Sequence, residues 1–199
     1  LLTYSRLGAE QYAALGFPRQ RIFVAPNAAA PRPLTPPPQR PAEFGERPVL
    51  LFVGRLQARK RVDVLLHACA ALPPRLQPRL QLVGDGPERA ALQALAGAVY
   101  PSAEFPGARH GADLAPFFAA ADLFVLPGTG GLAAQEAMAH ALPVIMGTGD
   151  GPNDALVRPG NGWQIPDNDL PALTAALEDA LSDPARLRRM GQESYRIVR

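Results

Sequence analysis

Four short apolar runs, VLLFVG (49–54), LQLVGDG (80–86), LFVL (123–126) and PVIM (143–146), recur along the chain without the strict alternation of a half-exposed strand. Runs of that length predict strands buried on both faces. Between them the apolar spacing changes to three and four. VDVLLHACAAL (62–72) therefore predicts a helix, as do Glu88–Ala98, Asp113–Ala120 and the Ala-rich stretch that follows Gly131 and carries Glu136. A short strand is expected near Ala103–Phe105. Beyond GNGWQI (160–165), Asp169–Leu181 and Pro184–Arg199 predict two more helices, with Asp169 and Asp183 as N-caps. Strands alternating with helices in this way predict an α/β fold, a Rossmann-like, doubly wound parallel sheet.

The first 48 residues follow another pattern. Ser5 to Gly16 predicts a short helix with Ser5 as N-cap, and Arg21–Val24 a strand. Residues 25–48 hold a dense group of prolines and little apolar periodicity, which predicts an extended linker on the surface. The expected division is a helix and strand at 1–24 joining the domain, a linker at 25–48, a Rossmann-like domain at 49–182 and a C-terminal helix at 183–199. No internal repeat is found. GxGxxG does not follow the first strong strand, which removes the main support for a dinucleotide-binding dehydrogenase.

Composition narrows the function classes. The chain has 199 residues, 47% of them hydrophobic, which is enough for a full core. A net charge of +2 does not imply nucleic acid, whereas a pI near 9.0 is compatible with anionic ligands or an anionic membrane surface. The single Cys69 cannot pair internally and is expected to pack as a small apolar residue, as in a reducing compartment. No segment approaches the about 18 uninterrupted apolar residues of a membrane span. The start lacks the features of a signal peptide and begins without Met, so a piece of a longer protein is expected. These features fit a cytoplasmic location and are compatible with peripheral attachment to a membrane.

Candidate chemistry gathers where the strands end. The turn Gly128-Thr129-Gly130-Gly131 lies between a strand's carboxyl end and a helix's amino end, where open α/β sheets bind anions and nucleotides. GRLQARK (54–60) places Gly54, Arg55 and Lys60 after the first strong strand. Two cations there suit a diphosphate, although a solvated basic loop explains them equally well. Gly84 and Gly86 in LVGDGPER allow a ligand to approach the backbone, or simply serve a strand-to-helix turn. Glu136, about one turn beyond Gly131, is placed to accept hydrogen bonds from a ribose diol, while the N–H groups of Gly130, Gly131 and Leu132 face phosphate.

In order, GRLQARK, LVGDGPER, ADLFVLP, GGLAAQEAMAHALPVI and NDALVRPGNGWQI resemble the nucleotide-binding C-terminal domain of the large retaining GT-B glycosyltransferase family with a paired-Glu motif, the glycosyl transferases group 1. VAPNAAA (24–30) extends the resemblance upstream. It implies that the chain is one half of a GT-B fold. Arg55 and Lys60 would hold the donor diphosphate as catalytic cations, and Glu136 would bind ribose as the second acid of the pair. The base would lie against Gly107–His110, including Arg109. The first acid falls at Gly128, so the side chain that contacts the donor sugar is missing. Asp150 stands near the expected sugar site, and Ala141 replaces the Gly that commonly ends the crossover helix.

The resemblance implies transfer of a sugar from a nucleoside diphosphate to a glycan, lipid or protein acceptor, with retention. The acceptor side would come from an N-terminal domain absent here, so the isolated chain is expected to bind nucleotide and transfer little. The alternative is a non-catalytic nucleotide-binding or interaction module of the same fold. No cofactor beyond the donor, no metal and no nucleic acid are expected, since His67, His110 and His140 have no partners at metal-ligand spacing. His67 is expected on the apolar face of its helix, His140 near a helix C-terminus that favours its cationic form, and Trp163 as a packing aromatic.

Overall fold

The structure of the chain, a computed structural model, describes residues 1–25, 33, 36–148 and 156–199. Its main sheet has six strands: β3 (Val49–Val53), β4 (Arg79–Val83), β5 (Glu104–Gly107), β6 (Leu123–Leu126), β7 (Val144–Gly147) and β8 (Gly162–Ile165). They run parallel in the order β5-β4-β3-β6-β7-β8. The chain steps outward from β3 to β5, returns across the sheet to β6, and steps outward again. This reversal is the doubly wound order, and it opens a crevice at the carboxyl ends of β3 and β6.

The apolar runs form the centre. Leu50, Leu51, Phe52, Leu123, Phe124, Val125 and Ile145 are fully buried, as strands covered on both faces require. Flanking them are α2 (Val62–Ala71), α3 (Arg89–Val99), α4 (Ala115–Ala120), α5 (Leu132–Ala139), α6 (Leu170–Leu181) and α7 (Pro184–Val198). α2 packs on α3 and α6, and α5 packs on α7. Asp169 and Asp183 cap α6 and α7 as expected, their carboxylates accepting from the N–H groups of Ala172 and Arg186. α7 buries Leu187, Met190 and Tyr195, so it belongs to the same body as the sheet.

Three elements differ from expectation. β5 lies one to two residues later than the run at Ala103–Phe105 and contains Pro106, which an edge strand tolerates because one side of its ladder is open. Glu104 anchors it through Arg79 and Gln81 of β4. The helix expected from Asp113 begins as a 3-10 turn, Gly111–Leu114, before α4. His67 is exposed, on the opposite face of α2 from Leu65, Leu66 and Cys69.

Residues 1–25 form a separate small unit. β1 (Leu2–Thr3), absent from the sequence expectation, pairs in parallel with β2 (Phe23–Val24). α1 (Arg6–Ala14) connects them, capped by Ser5, and buries none of its residues. Of the eleven large hydrophobic residues exposed among the described residues, nine lie in this unit, so it presents apolar surface that the six-stranded sheet does not cover.

Downstream, the Pro-rich segment is pinned at Arg40. Its Nε donates to the Ala121 carbonyl at 2.9 Å, Nη1 to His140 and Ala141 at 2.7 and 3.2 Å, and Nη2 to Phe118 at 2.7 Å. One guanidinium thus serves the open carbonyls at the ends of both α4 and α5. Burial and the neighbouring Arg188 lower the Arg40 pKa to about 10, with Asp122 acting in the opposite sense.

Candidate functional site

The loops at the carboxyl ends of the strands meet backbone to backbone. A Cβ on Gly84, whose φ is +150°, would stand 1.9 Å from the Gly54 carbonyl oxygen. One on Gly128 would stand 2.0 Å from that of Arg59. Gly86 and Gly147 are held similarly against Leu56 and Pro127. Hydrogen bonds fasten the same contacts: Leu56 N–H to the Asp85 carbonyl, Gly84 N–H to Gly107, and Thr129 N–H to Arg59. The glycines at this edge are therefore points where loops touch each other, which explains Gly84 and Gly86 better than either expected reading.

Inside this rim lies a cavity of about 550 Å³, a volume in the range of small-molecule sites. Gly54 and Arg55 line it from β3, Gly84 and Asp85 from β4, Arg109 and His110 from beyond β5, and Leu132 and Glu136 from α5. Seven expected site residues thus converge here: Gly54, Arg55, Gly84, Arg109, His110, Leu132 and Glu136. Gly131 is the N-cap of α5 and has no side chain to satisfy the helix's first N–H groups. An anion against Leu132 and Ala133 would find those donors and the positive end of the helix. Arg55 is exposed, so its forked donors reach the cavity without desolvation. Burial raises the Glu136 pKa above the ordinary carboxylate range.

Lys60, Gly107 and Gly130 are placed differently. Gly107 ends β5 at φ +84° and contributes its carbonyl to the rim. Lys60 is buried and does not line the cavity; its ammonium donates to the carbonyls of Thr129 at 2.6 Å and Gly130 at 3.1 Å. His140 departs from expectation: it stacks on Phe118 at 5.1 Å, and burial together with Arg40 lowers its pKa, so the neutral imidazole is favoured. Trp163 packs as expected, its Nε1 donating to Asp179 beneath the Arg186 guanidinium. Cys69 is buried. Asp150, and the part of NDALVRPG before Leu156, lie outside the described residues. Asp85, which sequence reasoning passed over, joins the cavity wall and pairs with Arg89 at 3.3 Å. Its signal was its place between two glycines at a strand end.

A parallel sheet with an anion-ready crevice at its switch point defines the class, that of nucleotide-binding α/β domains. The sequence profile of the glycosyl transferases group 1 family matches residues 47–183, and the chain belongs to that family. It is 44% identical over 156 residues to a GDP-mannose-dependent alpha-mannosyltransferase of Mycolicibacterium smegmatis, covering 76% of this chain and 39% of that protein. It is 36% identical over 158 residues to a protein of the same description from Corynebacterium glutamicum, covering 78% and 36%. Sucrose-phosphate synthase from Thermosynechococcus elongatus superposes with a TM-score of 0.81 at 27% identity, over 99% of this chain and 52% of its own. Anabaena HepE in complex with UDP shares the fold, at a TM-score of 0.80 and 18% identity. The chain thus spans well under two thirds of the length of these proteins. Its architecture is that of the GT-B glycosyltransferases. Among the described residues no helix is long and apolar enough to cross a membrane, and no cluster of ligands is assembled for a metal ion.

Proposed function

We propose that this chain is the donor-binding half of a retaining glycosyltransferase that transfers a sugar from a nucleoside diphosphate, with GDP-mannose as the donor. The observation that carries the reading is the convergence of Arg55, the open amino end of α5 and Glu136 on one cavity at the switch point. The choice of donor rests on the two relatives described as GDP-mannose-dependent, each above 30% identity over more than two thirds of this chain.

The chemistry follows from where charge develops. As the bond from the sugar to the diphosphate breaks, negative charge grows on the departing phosphate oxygens. A preorganised guanidinium and helix amino end stabilise that charge more in the transition state than in the ground state. The ionised Glu136 accepts hydrogen bonds from the ribose hydroxyls and fixes the nucleoside. The base lies along Ala108–His110. The acceptor is a glycan, lipid or protein held by chain beyond this half. The uncovered apolar surface of residues 1–25 supports that division, because a two-stranded parallel pair is stable only when more sheet or chain covers it. Attachment of the whole protein to a membrane surface would act through the same missing half.

Calorimetric titration with GDP, UDP, ADP and GDP-mannose tests the reading, with Arg55→Ala as control. GDP is expected to bind best, and loss of one charged hydrogen-bond partner worth about 1.5–3 kcal/mol makes Arg55→Ala weaker by tenfold or more. A folded sample that binds none of them supports the second reading, a non-catalytic module, which the occupied space at Gly128 favours.

A further inference from the structure

The chain carries nineteen arginines and a single lysine, Lys60. Every other cationic position accepts a guanidinium, so position 60 is where the compact ammonium is distinctive. Its surroundings give a physical reason. Lys60 ends the 3-10 turn Ala58–Lys60 and is followed by Arg61 at φ +53°, a left-handed conformation that costs energy for a side-chain-bearing residue. The buried ammonium donates to two successive carbonyls, those of Thr129 and Gly130. A planar guanidinium, wider and with donors fixed in one fork, does not reproduce that convergence.

Peptide planarity then gives the contact a consequence. In a trans peptide the C=O and the following N–H point in opposite directions. With the Thr129 and Gly130 carbonyls turned toward Lys60, the N–H groups of Gly130 and Gly131 are turned away from it. That is the arrangement of a backbone anion nest, and it leads directly into the amino end of α5, whose Leu132 and Ala133 line the cavity. The positive charge behind the same peptides also polarises them and strengthens their donors.

We infer that Lys60 is a positioning residue: it holds the 128–131 turn in the orientation that presents its backbone N–H groups to the donor diphosphate, and it acts through that turn instead of touching the phosphate. This rests on the donor-site reading above.

The test combines hydrogen exchange of the unliganded chain with titration of GDP and guanosine, for the wild type, Lys60→Met and Lys60→Arg. Both variants are expected to exchange faster in peptides covering residues 128–139 while those covering β3 and β4 stay protected. GDP affinity is expected to fall about tenfold or more and guanosine affinity to stay within about twofold. Exchange unchanged with GDP affinity lost overturns the inference in favour of direct phosphate contact. Faster exchange with the GDP-to-guanosine preference intact overturns it in favour of a purely structural role. If Lys60→Met does not fold, Lys60→Arg decides between the same outcomes. A wild type that binds neither GDP nor UDP removes the donor-site reading itself, which is a separate failure.

Discussion

The Arg59 carbonyl oxygen occupies the place where a side chain on Gly128 would begin, 2.0 Å from an ideal Cβ. The missing first acid is therefore more than a lost functional group, since the neighbouring loop has closed onto the vacated backbone. Gly128→Glu is expected to lower stability by about 1–3 kcal/mol, as overpacking does, and to give GDP-mannose no advantage over GDP. Thermal melts and paired titrations check this. A stable variant with a new preference for the sugar conjugate would show that the loops separate freely.

Glu136 pulls stability and binding in opposite directions. Its pKa is raised by burial, so its ionised form is the one the fold disfavours. The cost is present above the raised pKa and is relieved as pH falls through it. The ribose contact needs the ionised form and is lost over that same fall. Glu136→Gln is expected to raise the melting temperature at neutral pH while weakening nucleotide binding and flattening its dependence on acid pH. Melts and titrations between pH 5 and 8 test both signs.

Ala141 sits at φ +54° just beyond α5, a backbone conformation that disfavours any Cβ. The glycine common at this point in the family relieves that strain. Ala141→Gly is expected to stabilise the chain by about 0.5–1 kcal/mol, the strain relieved less the contribution of the buried methyl. Denaturant unfolding measures it, and a loss of stability would place the methyl contact above the strain.

Arg40 meets the carbonyls of α4 and α5 at the amino ends of the strands, away from the crevice. Arg40→Ala leaves these acceptors without their charged donor and is expected to cost about 2–4 kcal/mol. Nucleotide affinity should be unchanged, which separates this anchor from the binding site in a single pair of measurements.

The sheet was legible because each strand carries its own signal. Val49–Val53 and Leu123–Leu126 are apolar throughout, and their burial on both faces follows without knowledge of their neighbours. The same is true of the caps at Asp169 and Asp183. The contacts of Gly84 with Gly54, and of Gly128 with Arg59, were not legible. They join loops dozens of residues apart, and a glycine that accepts a neighbour's carbonyl reads the same as one that turns the chain. Lys60 illustrates the limit most clearly: its charge and position suggested phosphate, and only the fold shows its ammonium spent on the turn beside the cavity. β1 was missed because two residues carry too little periodicity to register.

The burial of Cys69 has a practical use. Burial pushes its thiol far above the ordinary range, which leaves almost no thiolate to react. The molecule is thus chemically quiet toward maleimides while folded. A cysteine introduced at Ala133, on the cavity wall, would take up a fluorophore alone, and its emission would report occupancy of the crevice without background from the native sequence.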